Sequence, residues 1–535
     1  MLAILFFVSA LLFFIDFAGK IPQGVHALLH LQIVPAILSG AVGIMAFQFI
    51  LVLVFGRLYC SAICPAGILQ DAINRLFCIG KKKSKGVRRF SFRKPQNLLR
   101  YLLLGATAAT ALAGFTTLLV WLDPYSNFGR IAANLFRPVT MWGNNVLADL
   151  LTRMDNYALY HVTVHTVTTA GLLAGLLALL LFVGLTIFRG RLFCNTLCPV
   201  GALLSLISRY SFFRISFDEQ LCNRCGNCER TCKAEAINSK QMTVDTSRCV
   251  DCFNCTSSCT KSSLKYRFRP PFASGKPSAE KPSSGKPAEA PAAGKLSSEA
   301  PAASPSNGRR RFFATGATVA ATLPVLSTVA QYADLPEGEK PTEADNIDYE
   351  RLPPVTPPGS AGLERFKDQC TGCHLCVVRC PTQVLRPAGL QFGFDYLLRP
   401  YCKFESSYCN YECTVCGEVC PVHAIRGLSK EEKRTTQVGV ATFNISRCIV
   451  HTEGTDCGAC SEHCPTQAVH MIPYEGTLTI PQVESELCIG CGGCESICPV
   501  RPYRAIVVVA NREHAYVAPP EEEEVKEIEI DGFGF

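Results

Sequence analysis

Four stretches of almost unbroken apolar residues, and six cysteine runs repeating one rhythm, predict the fold class. It is an α-helical membrane bundle of four spans, five with a later segment, carrying small α+β domains of the bacterial-ferredoxin kind. A duplicated turn at two helix ends ties these parts together. At 535 residues the chain is too long for one core. Charged residues make up 18% and the mean hydropathy is +0.19, which excludes a disordered chain and argues against a purely soluble one. The 30 cysteines in these spacings are not the framework of a short secreted disulfide protein. The net charge of +8 sits in loops beside apolar stretches, so membrane topology accounts for it before nucleic acid does.

The spans come first. Met1 to Phe17 is apolar up to Asp16 and lacks the basic start and the cleavage site of a signal peptide. Ile33 to Phe55, Leu98 to Leu122 and Val167 to Phe188 each approach the roughly 20 residues that cross a bilayer. Between the second and third, Gly56 to Asn97 carries Arg57, Arg75, Lys81, Lys82, Lys83, Lys85, Arg88, Arg89, Arg93 and Lys94 against Asp71 alone. Such a loop stays cytoplasmic. The segment 123–166 balances three Arg with three Asp and belongs outside. The membrane domain is residues 1–210.

At the two cytoplasmic helix ends, Gly56-Arg57-Leu58-Tyr59-Cys60 through Cys64-Pro65-Ala66-Gly67 matches Gly190-Arg191-Leu192-Phe193-Cys194 through Cys198-Pro199-Val200-Gly201. Cysteines four apart share a helix face. If the two turns meet, Cys60, Cys64, Cys194 and Cys198 supply the four thiolates of a shared [4Fe-4S] cluster; if they do not, each pair is redox-active or simply packed.

Residues 211–268 hold Cys222-x2-Cys225-x2-Cys228-x3-Cys232 and Cys249-x2-Cys252-x2-Cys255-x3-Cys259. In this ferredoxin rhythm the fourth cysteine crosses to the other cluster. One [4Fe-4S] cluster is therefore assigned to Cys222, Cys225, Cys228 and Cys259, and the second to Cys249, Cys252, Cys255 and Cys232. A zinc ribbon would need four thiolates in all, not two such sets. Lys233 and Thr260 stand where a proline usually follows the fourth cysteine.

Residues 269–308 are Pro, Ala, Ser, Gly and Lys, the composition of a disordered tether. In 309–332, Arg309-Arg310-Arg311-Phe312-Phe313 precedes apolar Ala314 to Ala330 and reads as an internal twin-arginine export signal retained as a fifth helix. The alternative is a basic peripheral stretch.

A four-cluster domain occupies 353–515. Its runs are Cys370, Cys373, Cys376, Cys380; Cys409, Cys413, Cys416, Cys420; Cys448, Cys457, Cys460, Cys464; and Cys488, Cys491, Cys494, Cys498, each followed by proline. Sixteen thiolates make four further clusters, six in all and seven with the shared one. Spacing leaves open whether fourth cysteines exchange between neighbours or in nested order, and Cys402 could replace Cys409. Cys402 and Cys78 are otherwise plain thiols. Gly490, Gly492 and Gly493 let backbone amides approach sulfur. Residues 516–535 form an acidic tail.

The four apolar stretches, the two C-x3-C-P turns and the paired ferredoxin runs resemble the NapH family of membrane quinol dehydrogenase subunits. The four-run domain, with its long third gap (Cys448-x8-Cys457) and twin arginines, resembles the exported NapG family. The chain thus resembles a NapH–NapG fusion. That resemblance implies oxidation of menaquinol or ubiquinol, the membrane quinone pool as partner, and delivery of electrons to a periplasmic or membrane-bound partner such as a cytochrome. It also implies a multi-pass protein of the bacterial inner membrane with its last domain on the periplasmic side, serving anaerobic respiration.

Two histidine pairs, His26 with His30 and His161 with His165, each share a helix face at the outer boundary. They could accept quinol protons; haem b ligation and plain headgroup-level polarity are the competing readings. No nucleophile triad, phosphate loop or dinucleotide fingerprint is present. The leading function is quinol-linked electron transfer by a quinol dehydrogenase-type component. The alternatives are an electron-transfer subunit without its own quinone site, paired with a molybdoenzyme, hydrogenase or cytochrome, and a NosR-like regulatory or maturation protein.

Overall fold

The computed structural model describes residues 2–21, 28–77, 90–162, 168–268 and 353–518. All of them belong to one compact unit, Met1–Ala273 with Ile347–Phe535. Cys78, His26, His165, the basic residues 81–89, the twin arginines, Ala314 to Ala330 and residues 519–535 of the acidic tail lie outside the described residues.

The expected bundle of four or five spans is not what forms. Among the described residues one helix, Thr169–Arg189, is long and apolar enough to cross a membrane. The others are cut short by backbone chemistry. Met1 to Phe17 yields Leu2–Ile15, ending at Asp16. Ile33 to Phe55 breaks at Gly40, whose φ of +69° no continuing helix tolerates, into Ile33–Leu38 and Val42–Phe55. Leu98 to Leu122 breaks at Gly114, φ +85°, into Asn97–Leu112 and Thr117–Leu122. A helix of 14 residues is about 21 Å long, short of the roughly 30 Å hydrocarbon layer.

Segment 123–166, read as an outer loop, folds instead. Asp123 caps the Pro124–Ile131 helix by accepting from Ser126 N at 2.8 Å, and Arg137–Thr152 follows through a π-helical turn. The Pro124–Ile131 helix is wholly buried. It lies in the core with Phe14 and Phe128, whose rings meet edge to face at 6.0 Å.

Small antiparallel ribbons build the cysteine-rich parts. Phe213–Phe217 pairs with Leu264–Phe268 and closes the two-run domain, which also holds the Ile237–Asn238 and Thr243–Val244 ribbon. In the four-run domain, Thr436–Phe443 pairs with Ile506–Tyr516 across a bulge, Val469–Pro473 with Thr479–Val483, and Leu385–Pro387 with Pro400–Cys402.

These two domains cap opposite ends of the long helix. At its N-terminal end a Cβ added to Gly171 would lie 3.0 Å from Pro387 Cγ, and one added to Gly389 would lie 3.5 Å from Ala170 Cβ. At its C-terminal end Arg191 N donates to Lys233 O at 3.1 Å. Further bonds fasten each end. Arg379 pairs with Asp16 at 2.6 Å and Arg399 Nη2 donates to Thr116 Oγ1 at 2.9 Å on one side. On the other, Phe212 N donates to Leu53 O and Tyr266 Oη to Phe55 O, both at 2.9 Å.

Candidate metal centres

The duplicated turns fold alike and meet. In each, the second cysteine is extended and the following proline opens a helix: Cys64 before Pro65–Leu76, Cys198 before Pro199–Ser208. The glycine two residues after each proline packs on the carbonyl of the first cysteine. A Cβ at Gly67 would sit 2.2 Å from Cys60 O, and one at Gly201 2.0 Å from Cys194 O. The arginines cross over. Arg57 Nη2 donates to Cys194 O at 3.1 Å, and Arg191 Nη1 donates to Cys60 O at 2.7 Å. Each half therefore holds the backbone of the other's first cysteine, and the four thiols gather at the shared face, near enough to interact electrostatically. Burial pushes the Cys194 thiol up to about 12. Such thiols carry charge only beside a cation.

Sequence reasoning overlooked the residues around this quartet. Asp71 receives both Arg191 Nε and Nη2, at 3.0 and 2.7 Å, and Lys233 Nζ at 3.2 Å. Burial would raise its carboxyl, but Arg191 and Lys233 hold it below the usual range. Arg100 Nη2 donates to Gly201 O and Ser247 O, both at 3.0 Å, and Cys194 Sγ lies 3.2 Å from Gln70 Oε1. Arg57 was visible in the repeat but was counted as loop charge, and it is 0% exposed.

In the two-run domain Cys222, Cys225, Cys228 and Cys259 line one void. Cys249, Cys252 and Cys255 gather with Cys232. In the four-run domain the fourth cysteines exchange between neighbours. Cys370, Cys373 and Cys376 gather with Cys420. Cys409, Cys413 and Cys416 surround a void with Cys380, and Cys402 lines the same void. Cys448, Cys457 and Cys460 surround a third with Cys498. Cys488, Cys491 and Cys494 gather with Cys464. Burial pushes the Cys370 thiol up to about 11.

Local geometry explains the rhythm. The residue after the second cysteine is left-handed at Gly226, Phe253, His374 and Gly492, turning the chain so that the third cysteine opens toward the same void from a short helix. The two runs with irregular spacing lack that turn: Thr414 and Gly458 have negative φ. Three residues past the fourth cysteine the chain is left-handed again, at Glu235, Ser262, Gln383, His423 and Gln467, with φ of 50–54°. The missing prolines after Cys232 and Cys259 do not alter this turn.

The donor set fits iron-sulfur clusters. Every described cysteine is a free thiol. Backbone amides aim at sulfur: Gly201 N to Cys198 at 3.3 Å, Ala236 N to Cys232, Ile425 N to Cys420 and Ala441 N to Cys488 at 3.4 Å, the bonds that stabilise thiolates. Among the described residues no group of His, Cys, Asp or Glu is drawn in around a single ion.

The groups stand in series. Cys228 neighbours Cys255, and Arg191 lies beside both Cys252 and Cys194. Tyr59 and Tyr125, with Asp123 near both, stand between Cys60 and Cys64 on one side and Cys373 and Cys420 on the other. Cys376 neighbours Cys416, Cys409 N donates to Cys491 O at 2.9 Å, and Cys494 neighbours Cys460.

The described histidines have separate partners. His30 stacks edge-on to His423 at 6.5 Å, whereas His161 Nε2 bonds Asp149 at 2.7 Å and is 59% exposed.

Comparison with known proteins now fixes the class. The family described as a 4Fe-4S binding domain matches residues 36–86 and 172–217, which contain both copies of the duplicated turn. The family described as a 4Fe-4S dicluster domain matches 453–501. The chain is an iron-sulfur protein of ferredoxin type. Its relatives include an uncharacterized protein of Methanocaldococcus jannaschii, 36% identical over 19% of this chain and 40% of that protein. The methylamine utilization ferredoxin-type protein MauM of Methylobacillus flagellatus is 29% identical over 27% of this chain and 63% of its own length. The ferredoxin-type protein NapG of Escherichia coli is 27% identical over 36% of this chain and 82% of its own. The chain thus spans less than two thirds of the first two. No solved structure matches.

Proposed function

We propose that this protein conducts electrons between a membrane quinol, menaquinol or ubiquinol, and a redox partner, from one end of its long helix to the other. The observation that carries the reading is the succession of thiol quartets through both capping domains and the duplicated turns, interrupted only where Tyr59 and Tyr125 stand between the turn quartet and the last domain. Six [4Fe-4S] clusters are held by the ferredoxin-type quartets and a seventh by Cys60, Cys64, Cys194 and Cys198. When bound, such clusters supply one-electron transfer, which joins a two-electron quinol to one-electron acceptors. The chain's own residues space the quartets, exclude water from them and direct amides at their sulfurs.

The setting is the bacterial inner membrane, entered by the Thr169–Arg189 helix. Its 21 residues span about 32 Å, enough for a hydrocarbon layer, and the two cysteine-rich domains cap its two ends. The twin arginines between those domains direct the second to the periplasmic side, where a cytochrome or a similar partner collects electrons. Anaerobic purification, iron and sulfide analysis and EPR test the clusters; about 28 iron atoms per chain are expected from four per cubane. Rapid appearance of reduced-cluster EPR signals on adding a menaquinol analogue tests the donor. Full iron content with no response to quinol would leave a relay fed by another subunit.

A further inference from the structure

Beside the duplicated turns a polar pocket opens next to the end of the long helix. Its wall includes Arg93, Lys94, Arg189, Arg191 and Arg248, with Glu235 the one carboxylate among them. Two of these cations are already matched: Arg191 by Asp71 at 2.7 Å, and Arg248 through its Nε by Asp245 at 2.7 Å. Arg93, Lys94 and Arg189 form no ion pair among the described residues. Arg248 adds a sharper sign. Its side chain is 7% exposed and its guanidinium lies over the Phe92 ring at 5.3 Å, yet its buried Nη2 has no hydrogen-bond partner. Leaving a buried charged donor unmatched costs more than leaving a neutral one, and such groups are rare without a missing acceptor.

The acceptor must be anionic, because it faces three unpaired cations. It must also present several oxygens, since the Arg93, Arg189 and Arg248 guanidinium groups and the Lys94 ammonium line the pocket. A carboxylate offers two oxygens in one plane, whereas a phosphate offers non-bridging oxygens spread about a tetrahedral centre. We propose that this pocket binds a phosphate group, with Arg248 Nη2 as its buried donor and Arg93, Lys94 and Arg189 closing around it. An anionic phospholipid headgroup and free phosphate share this chemistry. The lipid source rests on the membrane reading above, because Arg189 ends the helix proposed to cross; the site itself does not.

The test uses the full-length holoprotein, purified in phosphate-free buffer. Binding of inorganic phosphate is measured by titration calorimetry. Binding of phosphatidylglycerol is measured against phosphatidylcholine in nanodiscs by native mass spectrometry. The Arg93→Gln/Lys94→Gln/Arg189→Gln variant, in which no cysteine or cysteine neighbour changes, should keep the iron content and visible spectrum of the parent. At least a tenfold loss of affinity for phosphate, for phosphatidylglycerol or for both is expected in that variant. A parent that takes up neither probe, or a variant that binds both as the parent does, overturns the proposal. Phosphatidylglycerol alone assigns the lipid as source and inorganic phosphate alone the free anion. Neither readout involves electron transfer, so its outcome is independent of quinol activity. Should the triple variant fail to assemble, the single Arg93→Gln variant carries the same comparison.

Discussion

The crossed arginines of the duplicated turn are chemically unequal, and that inequality predicts an ordering of stabilities. Arg191 makes a bidentate pair with Asp71 and a bond to Cys60 O; its side chain is 1% exposed. Arg57 donates to Asn195 Oδ1, Ser247 O and Cys194 O, with a longer contact to Cys60 Sγ at 3.7 Å, and reaches no carboxylate by hydrogen bond. Removing one partner of a buried ion pair costs about 3–5 kcal/mol, because the other charge is stranded. Asp71 retains Lys233 at 3.2 Å and is 19% exposed, so about 3 kcal/mol is expected for Arg191→Gln. Arg57 forms no ion pair among the described residues, only a weaker attraction to the buried Asp251, so Arg57→Gln should cost about 1–2 kcal/mol, nearer the scale of ordinary buried hydrogen bonds. Asp71→Asn combined with Arg191→Gln should be less damaging than the two single changes added, by on the order of 1–3 kcal/mol. The assay is anaerobic urea titration of the holoprotein followed by visible absorbance and tyrosine fluorescence. Equal costs for the two arginines, or strict additivity with Asp71, would falsify the reasoning.

The neighbour exchange of fourth cysteines predicts that Cys380→Ser removes the EPR signal of the cluster held by Cys409, Cys413 and Cys416 while sparing that of Cys370, Cys373, Cys376 and Cys420; loss of the latter would restore local ligation. Five thiols line the second void. Cys402→Ala should therefore keep all iron, Cys409→Ser should keep it through Cys402, and the double variant should lose about four atoms; iron loss from Cys402→Ala alone would make Cys402 the native ligand. His514 accepts or donates at Thr356 Oγ1, 2.8 Å away, and burial lowers it to about 4. Its folded value lies below the unfolded 6.5, so its contribution is complete above pH 6.5 and lost as pH falls through 4. That contribution is at most about 3 kcal/mol at 1.36 kcal/mol per unit. The melting temperature of His514→Asn should consequently fall less than the parent's between pH 6.5 and 4.5; parallel curves would contradict this.

The cysteine rhythm was legible because ligand spacing is a local property. A left-handed residue and a short helix suffice to aim three thiols at one point, and neither depends on distant contacts. Partner choice for the fourth cysteine was not legible, because it depends on which runs pack together; the Leu375–Arg379 helix packs on Val415–Glu418, and Ala459–Glu462 on Gly493–Ile497, with no trace in spacing. The span count failed for a related reason. Hydropathy summed across Ile33 to Phe55 cannot register that Gly40 turns left-handed. The positive charge of Gly56 to Asn97 was likewise overcounted, since Arg57 is a buried structural donor. Lys233 read as a blemish in a ferredoxin run, yet its ammonium reaches Asp71 of the helical region and helps fix the two-run domain in place. A departure from motif can therefore mark a tertiary contact.

Between the turn quartet and the first quartet of the last domain, protein rather than sulfur fills the path, and Tyr125 stands within it. Its ring packs on Phe14 at 5.9 Å, its hydroxyl is buried without a hydrogen-bond partner, and Cys373 and Cys420 lie near. Two roles are open to such a residue: a phenol that is itself oxidised and reduced, or an aromatic ring that fills space and couples its neighbours. Oxidising a buried phenol with no proton acceptor demands a stronger oxidant than the roughly −700 to +450 mV range of iron-sulfur clusters offers. The ring is the useful part. Tyr125→Phe should therefore leave the rate of internal electron transfer unchanged, measured by flash reduction and absorbance at the two ends. It should also raise stability by about 1 kcal/mol, because an unpaired buried hydroxyl disappears. Tyr125→Ala, which opens a cavity beside the thiols, should slow transfer and destabilise by about 3–5 kcal/mol on the scale of large aromatic truncations. A slow Tyr125→Phe with normal iron would instead place the phenol proton in the reaction.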